Sequence, residues 1–134
     1  VLYGREHVER YIATDGEEGY HWRRGTTILI LTTTGRRSGE SRPMPLIYRD
    51  WGDKYVVVAS KGGSPEHPSW YRNLQANPEV EVQIKGERFA AKAREATADE
   101  RPELWRLMTE VWPDYDAYQR KTDREIPLVV LERI

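Results

Sequence analysis

ILILTTTGRRSGESRPMP, residues 28–45, opens with a run of Ile, Leu and Thr that suits a β-strand. The run breaks at Gly35 into a turn that holds Arg36, Arg37, Ser38 and Gly39. After Glu40, Ser41 and Arg42, the extended Pro43-Met44-Pro45 returns toward the interior. A strand ending in Gly-Arg-Arg-Ser-Gly gathers backbone N–H groups, a hydroxyl and guanidinium forks in one small space. Such a loop suits anionic oxygens, phosphate above all. A solvated hairpin turn uses the same residue types, so the loop by itself leaves both readings open.

Outward from that stretch, the spacing predicts Thr26–Thr34 as the first strand and Arg42–Tyr48 as the second, with a turn over Arg49–Asp53. Lys54–Ser60 follows as a third strand, whose continuous apolar run Val56–Ala59 implies burial on both faces. Residues 79–85 alternate, with Val80, Val82 and Ile84 inward. Gly86-Glu87 turns the chain into Arg88–Ala96, and Ile126–Glu132 is the last strand. Six strands joined mostly by short loops predict a mainly β (α+β) fold, a six-stranded antiparallel barrel with flanking helices.

Helices are expected at Pro68–Ala76, with Pro68 at the first helical position and Asn77-Pro78 as the stop. Thr97–Glu100 reads as a capping box, followed by a stripe of Leu104, Leu107, Met108 and Val111. Pro102 requires that this helix keep it within the first turn. Trp112-Pro113 ends it, and Asp114–Lys121 forms another short helix. Val8, Tyr11 and Ile12 mark a peripheral helix within residues 1–20, either packed on the domain or fraying.

The 134 residues suffice for one domain, taken as 1–134. With 38% hydrophobic and 32% charged residues, the core must be small. No apolar run approaches the roughly 20 residues of a membrane span, and nothing at the start reads as an export signal. The absence of cysteine removes disulfides, thiolate ligands and thiol nucleophiles, and fits a cytoplasmic protein. His7, His21 and His67 lack metal-ligand spacing, so no metal is expected, and His67 beside Pro68 reads as a helix-start residue. A net charge of -1 argues against a field that draws in nucleic acid. The cations are local instead: Arg23, Arg24, Arg36, Arg37, Arg42, Arg49 and Lys61 crowd the first half. Five Trp and eight Tyr against one Phe favour pockets and interfaces over a dry core.

A second loop, Ser60-Lys61-Gly62-Gly63-Ser64-Pro65, leaves the third strand as Gly35–Gly39 leaves the first. Its glycines allow close approach of a ligand, although a flexible surface turn has the same composition. The helix start after it favours an anion. Trp70 and Leu74, one turn apart, also suit the core, and a buried Asn73 needs a polar partner. Trp112, Tyr115 and Tyr118 recur every three residues. They either pack their segment onto the barrel or form a lid, in which the Tyr115 hydroxyl donates to an acceptor oxygen.

Three ordered blocks carry a family resemblance: ILTTTGRRSGESRPMPL, YVVVASKGGSPEHPSWYRNLQANPEVEV and WPDYDAYQRKTDREIPLVVLE. Together they resemble the deazaflavin-dependent nitroreductases, over about residues 20–134. The resemblance implies a split β-barrel of the flavin-reductase type that uses coenzyme F420 (8-hydroxy-5-deazaflavin). It implies that Arg36, Arg37, Ser38, Arg42 and Lys61 hold the phosphate and acidic tail. Met44, Pro45, Val58, Ala59 and Ser60 would line the ring system, with Trp70, Tyr71, Arg72 and Asn73 closing the other side, and Pro43, Gly62 and Ser69 would also bind the cofactor. Tyr115, Tyr118 and Ser60 would serve catalysis. Trp112, Tyr115 and Tyr118 would meet the substrate, Trp112 standing where the best-known nitroreductase of the family has tyrosine. The implied reaction is hydride transfer from the reduced deazaflavin to a quinone, activated enone or nitroaromatic. An FMN-binding reductase, a non-catalytic carrier and a nucleic-acid-binding barrel are the rival readings. A homodimer stays open, as does a peripheral membrane contact through a segment preceding Val1.

Overall fold

The computed structural model describes all residues, Val1–Ile134. Its strands are β1 (Ile28–Thr34), β2 (Ser41–Ile47), β3 (Arg49–Trp51), β4 (Lys54–Val58), β5 (Glu79–Ile84), β6 (Glu87–Glu95) and β7 (Leu128–Arg133). Every pairing is antiparallel, in the order β2-β1-β5-β6-β7-β4-β3. The sheet agrees with a split barrel, but it has seven strands and not six. The additional strand is β3, where the sequence reading placed only a turn. Arg49 pairs with Val56 and Trp51 with Lys54, so the turn shrinks to Gly52-Asp53. Gly52 adopts φ 62°, as a two-residue hairpin turn needs. The last strand begins at Leu128 and not Ile126, because Pro127 has no N–H for the ladder and the Ile126 amide donates to Gln119 Oε1 instead.

The run from Val56 to Ala59 is buried on both faces, as its composition requires. Val57 and Ala59 join Leu29, Leu31, Val82 and Leu131 on one side. Val56 and Val58 meet Leu104, Met108 and Leu128 on the other. The first side is closed by α2 (Ser69–Ala76) through Trp70, Tyr71 and Leu74. The second is closed by α3 (Arg101–Val111) and α4 (Asp114–Arg120). Pro68 precedes α2 in extended conformation instead of opening it. The capping box forms both reciprocal bonds, Thr97 N to Glu100 Oε1 at 2.8 Å and Glu100 N to Thr97 Oγ1 at 3.2 Å. It closes the turn before α3, which leaves Pro102 inside the first turn. Hydrogen bonds from Arg94 above all pull the Glu100 carboxyl down to about 2.

The N-terminal helix α1 (Gly4–Ala13) packs and does not fray. Val8 and Tyr11 seal Ile28 and Ile30, each buried side chain contributing about 1.5–3 kcal/mol. The Tyr11 hydroxyl donates to Ile28 O at 2.8 Å and accepts from Lys85 N at 2.8 Å, and burial pushes its pKa up to about 12. This packing carries α1 to the mouth of the cleft described next. No helix is long and apolar enough to cross a membrane.

Candidate active site

The β1–β2 loop closes on itself through Gly35 N to Glu40 O (2.7 Å) and Gly39 N to Gly35 O (2.9 Å). Arg36 is tied down at both ends. Its amide donates to Asn73 Oδ1 at 3.2 Å, and its Nη1 donates to the same oxygen at 2.8 Å and to Ser69 Oγ at 3.1 Å. Asn73, buried at 4% exposure, passes its own N–H to Thr33 Oγ1 at 3.1 Å. The polar partners that a buried Asn73 demanded are therefore Arg36 and Thr33. Ser38 Oγ accepts from Glu40 N and from Arg42 Nη2, and Arg42 also pairs with Glu40 at 3.2 Å. Arg37 and Lys61 form no ion pair. Arg36, Arg37, Ser38, Arg42, Lys61, Ser69 and Asn73 line a cavity of about 550 Å³ that gathers four cationic side chains.

A second cavity of about 350 Å³ continues from it, the two sharing Met44, Lys61, Pro68 and Trp70. Its lining is mostly apolar. Pro45, Val58, Ser60 and Gly62 form one side, and Trp112, Tyr115 and Tyr118 another. Trp112 Nε1–H donates to the Tyr118 hydroxyl at 3.3 Å, and the rings of Tyr115 and Tyr118 meet edge to face at 6.1 Å. Tyr115 is 5% exposed, and burial holds its hydroxyl well above the usual tyrosine range. That hydroxyl has no protein partner and is not a sealed, orphaned atom, so it opens to the cavity. Kept neutral, it has a proton to donate there.

The loop between the cavities, Lys61–Gly63, is a 3₁₀ turn with φ of 45°, 63° and 83° in succession. At Gly62 a Cβ would meet no protein atom within 4 Å, so bare backbone faces the cleft. At Gly63 a Cβ would lie 2.6 Å from Tyr118 O, so only glycine lets α4 approach.

Most of the residues singled out in the sequence meet here, but three do not. Ser69, Trp70 and Asn73 lie on the face of α2 toward the cleft, and helical periodicity turns Tyr71 and Arg72 away. Tyr71 is buried in the core, donating its hydroxyl to Glu95 Oε1 and packing against a tilted His67 ring with centroids 4.7 Å apart. Arg72 is exposed outside both cavities. Ala59 points into the sheet's opposite face, as strand alternation dictates between Val58 and Ser60.

The sequence reading missed the wall supplied by Tyr3, Gly4, His7 and Trp22. Trp22 stacks on Trp112 at 5.7 Å and donates Nε1–H to Leu2 O at 3.0 Å. His7 Nε2 donates to Gly19 O at 2.8 Å. The surplus of Trp and Tyr was the only trace of this wall. No cluster of three His, Cys, Asp or Glu side chains assembles that could hold a metal.

Comparison with known proteins agrees with this geometry. The sequence model of the F420H(2)-dependent quinone reductase family matches residues 2–133. An F420H(2)-dependent quinone reductase of Mycobacterium tuberculosis is 39% identical over 133 residues, covering 96% of this chain and 89% of that protein. A solved F420-H2 dependent reductase is 47% identical, with a TM-score of 0.73, over 78% of this chain and 93% of its own. Another solved structure, a domain-swapped dimer, is 44% identical with a TM-score of 0.76 over 96% of both chains.

Proposed function

The chain belongs to the F420H(2)-dependent quinone reductase family, and from that premise we propose that its two-lobed cleft seats coenzyme F420 beside a quinone. The observation that carries this reading is the division of one continuous cleft into a cationic lobe and an aromatic lobe. The residues present fit the group. A phosphodiester followed by glutamates needs several cations and few acids, and Arg36, Arg37, Arg42 and Lys61 face a lobe with only Glu40 beside it. FMN, which ends in one phosphate, needs fewer.

In this reading Arg36, Arg37, Ser38, Arg42 and Lys61, with Ser69 and Asn73, hold the tail. Pro43, Met44, Pro45, Val58, Ser60, Gly62 and Trp70 border the ring system. Bound there, the reduced cofactor supplies a hydride, and the quinone that accepts it takes up one proton to leave as a hydroquinone. The protein's own contribution is placement and a dry site. The stacked Trp22 and Trp112 exclude water from the aromatic lobe. The Tyr115 hydroxyl donates to the acceptor oxygen as negative charge develops there. Tyr118, oriented by Trp112 Nε1–H, bounds the acceptor's outer edge, and Ser60 bounds its inner one. The same lobe would admit activated enones and nitroaromatics, flat acceptors of similar polarity. Residues 1–134 act as one deazaflavin-binding unit, because α1 both packs on the sheet and walls the cleft. We place its action in the cytoplasm and assign a homodimer, the latter testable by sedimentation.

Titration of the protein with oxidised F420, followed by oxidation of the reduced cofactor with menadione, tests the reading. Saturable F420 binding and menadione-dependent turnover are expected, with FMN a poor competitor. Preferential binding of FMN, or no binding of F420, would overturn it.

A further inference from the structure

Arg124 and His67 line neither cavity, yet they hold the loop that joins them. Arg124 Nε donates to Ser64 O at 2.8 Å, Nη1 to Ala59 O at 3.2 Å and Nη2 to Ser60 O at 2.7 Å. One guanidinium thus fastens three carbonyls that flank Lys61–Gly63, and Lys121 Nζ adds a fourth bond, to Gly62 O at 3.1 Å. The loop needs such fastening, since three consecutive residues hold positive φ and Lys61 is not glycine.

Arg124 Nη1 also lies 3.1 Å from His67 Nδ1. A guanidinium has no acceptor, so His67 Nδ1 must accept, which requires a neutral imidazole protonated on Nε2. The charged and titratable groups facing that ring are Arg124 from the segment after α4, Arg72 and Tyr71 from α2, and Glu95 from β6. Burial first, then Arg124 and Arg72, hold the His67 pKa below its usual value, with Glu95 opposing. The Glu95 carboxylate already accepts from the Tyr71 hydroxyl.

We propose that Arg124 is a positioning residue for cofactor binding and that neutral His67 is its latch: protonation of His67 turns an acceptor into a second cation facing the guanidinium and releases the Lys61–Gly63 loop. Release withdraws Lys61 from the cationic lobe and Ser60 and Gly62 from the aromatic one. The latch is therefore closed above the pKa of His67 and opens as the pH falls through it, below about 6.5. This inference rests on the cofactor reading above.

The test is the affinity for oxidised F420 from pH 8 to pH 5, with NMR of the Gly62 and Gly63 amides over the same range. Wild-type affinity should fall about tenfold toward acid pH, the size of one lost charge-assisted hydrogen bond, and both amides should titrate together with the His67 ring. H67Q keeps an acceptor that cannot charge, so it should flatten both profiles. R124K keeps the charge but not the fork. It should weaken F420 binding about tenfold at every pH and, because Ser60 and Gly62 move with the loop, raise the KM for menadione as well. An unaltered pH profile in H67Q, or wild-type affinity in R124K, overturns the proposal. So do loop amides that ignore the imidazole, a result that needs no cofactor. Wild-type protein that fails to bind F420 even at pH 8 removes the cofactor reading as well.

Discussion

The cationic and aromatic lobes share Met44, Lys61, Pro68 and Trp70, and differ in how the rest of each is built. The cationic lobe comes from the β1–β2 loop, the start of β2 and the first turns of α2, and its arginines are exposed. The aromatic lobe draws on α1, the segment before β1, β2, β4 and α4, and Trp112 and Tyr115 are buried within the α3–α4 core. In the first lobe the energy is Coulombic, local and screened by salt. In the second it is packing, which the fold and the site hold in common. The polar end of the cleft should therefore tune affinity without touching stability, whereas the aromatic end couples the two.

The most severe test of that contrast is Trp112→Ala. It removes the stack with Trp22, the cation–π contact with Arg24 at 4.4 Å and the bond that orients Tyr118. Truncating so buried an aromatic should cost about 3–5 kcal/mol, read by thermal or urea unfolding. An unchanged melting temperature would show that the aromatic lobe is not part of the core. Next comes Tyr115→Phe, which keeps ring and packing but deletes the donor. Its melting temperature and F420 affinity should hold while menadione turnover drops about 10- to 100-fold. Parental turnover would leave the hydroxyl without a role.

Arg37→Ala sharpens the other side of the comparison. Arg37 has no partner within the protein, so the loss should appear as an F420 dissociation constant raised about tenfold. That loss should be steeper at low salt and leave the melting curve unmoved. A stability loss in Arg37→Ala would erase the distinction between the lobes. The smallest effect is expected from Tyr118→Ala, half-buried at the rim. It should raise the KM for bulky acceptors a few-fold, about 1 kcal/mol or less, with kcat nearly intact. A kcat effect as large as that of Tyr115→Phe would move Tyr118 from the rim to the reacting centre.

The unequal legibility of the two lobes has the same origin. Arg36, Ser38 and Arg42 lie in one hairpin, on its turn and at the start of β2, and a hairpin's geometry is set by neighbours in the chain, so the cationic lobe could be read almost residue by residue. Trp22 and Trp112 stack although far apart in sequence, and no periodicity links them. The same limit explains Arg124, whose three carbonyl partners lie 60 to 65 residues earlier in the chain. It also explains Tyr71, where the five adjacent residues Ser69–Asn73 were assigned to the cleft although a helix can turn only one face toward it. The strand β3 escaped for a different reason. Three residues followed by Gly52-Asp53 carry too little alternation to stand out from a turn.

What the amino-acid order settled by itself was whatever depends on local chemistry. It set the antiparallel strands and their hairpins, the doubly buried Val56–Ala59 run, the capping box before α3 and the two loops able to hold an anion. Only the folded chain decided which of those pieces face one another. It laid α1 across β1 to complete the aromatic wall, turned Asn73 rather than Tyr71 toward Arg36, and set Arg124 behind the Lys61–Gly63 loop with His67 against it. Those contacts join segments distant in sequence, and their energy comes from burial and paired polar groups that exist only once the sheet has closed over its core.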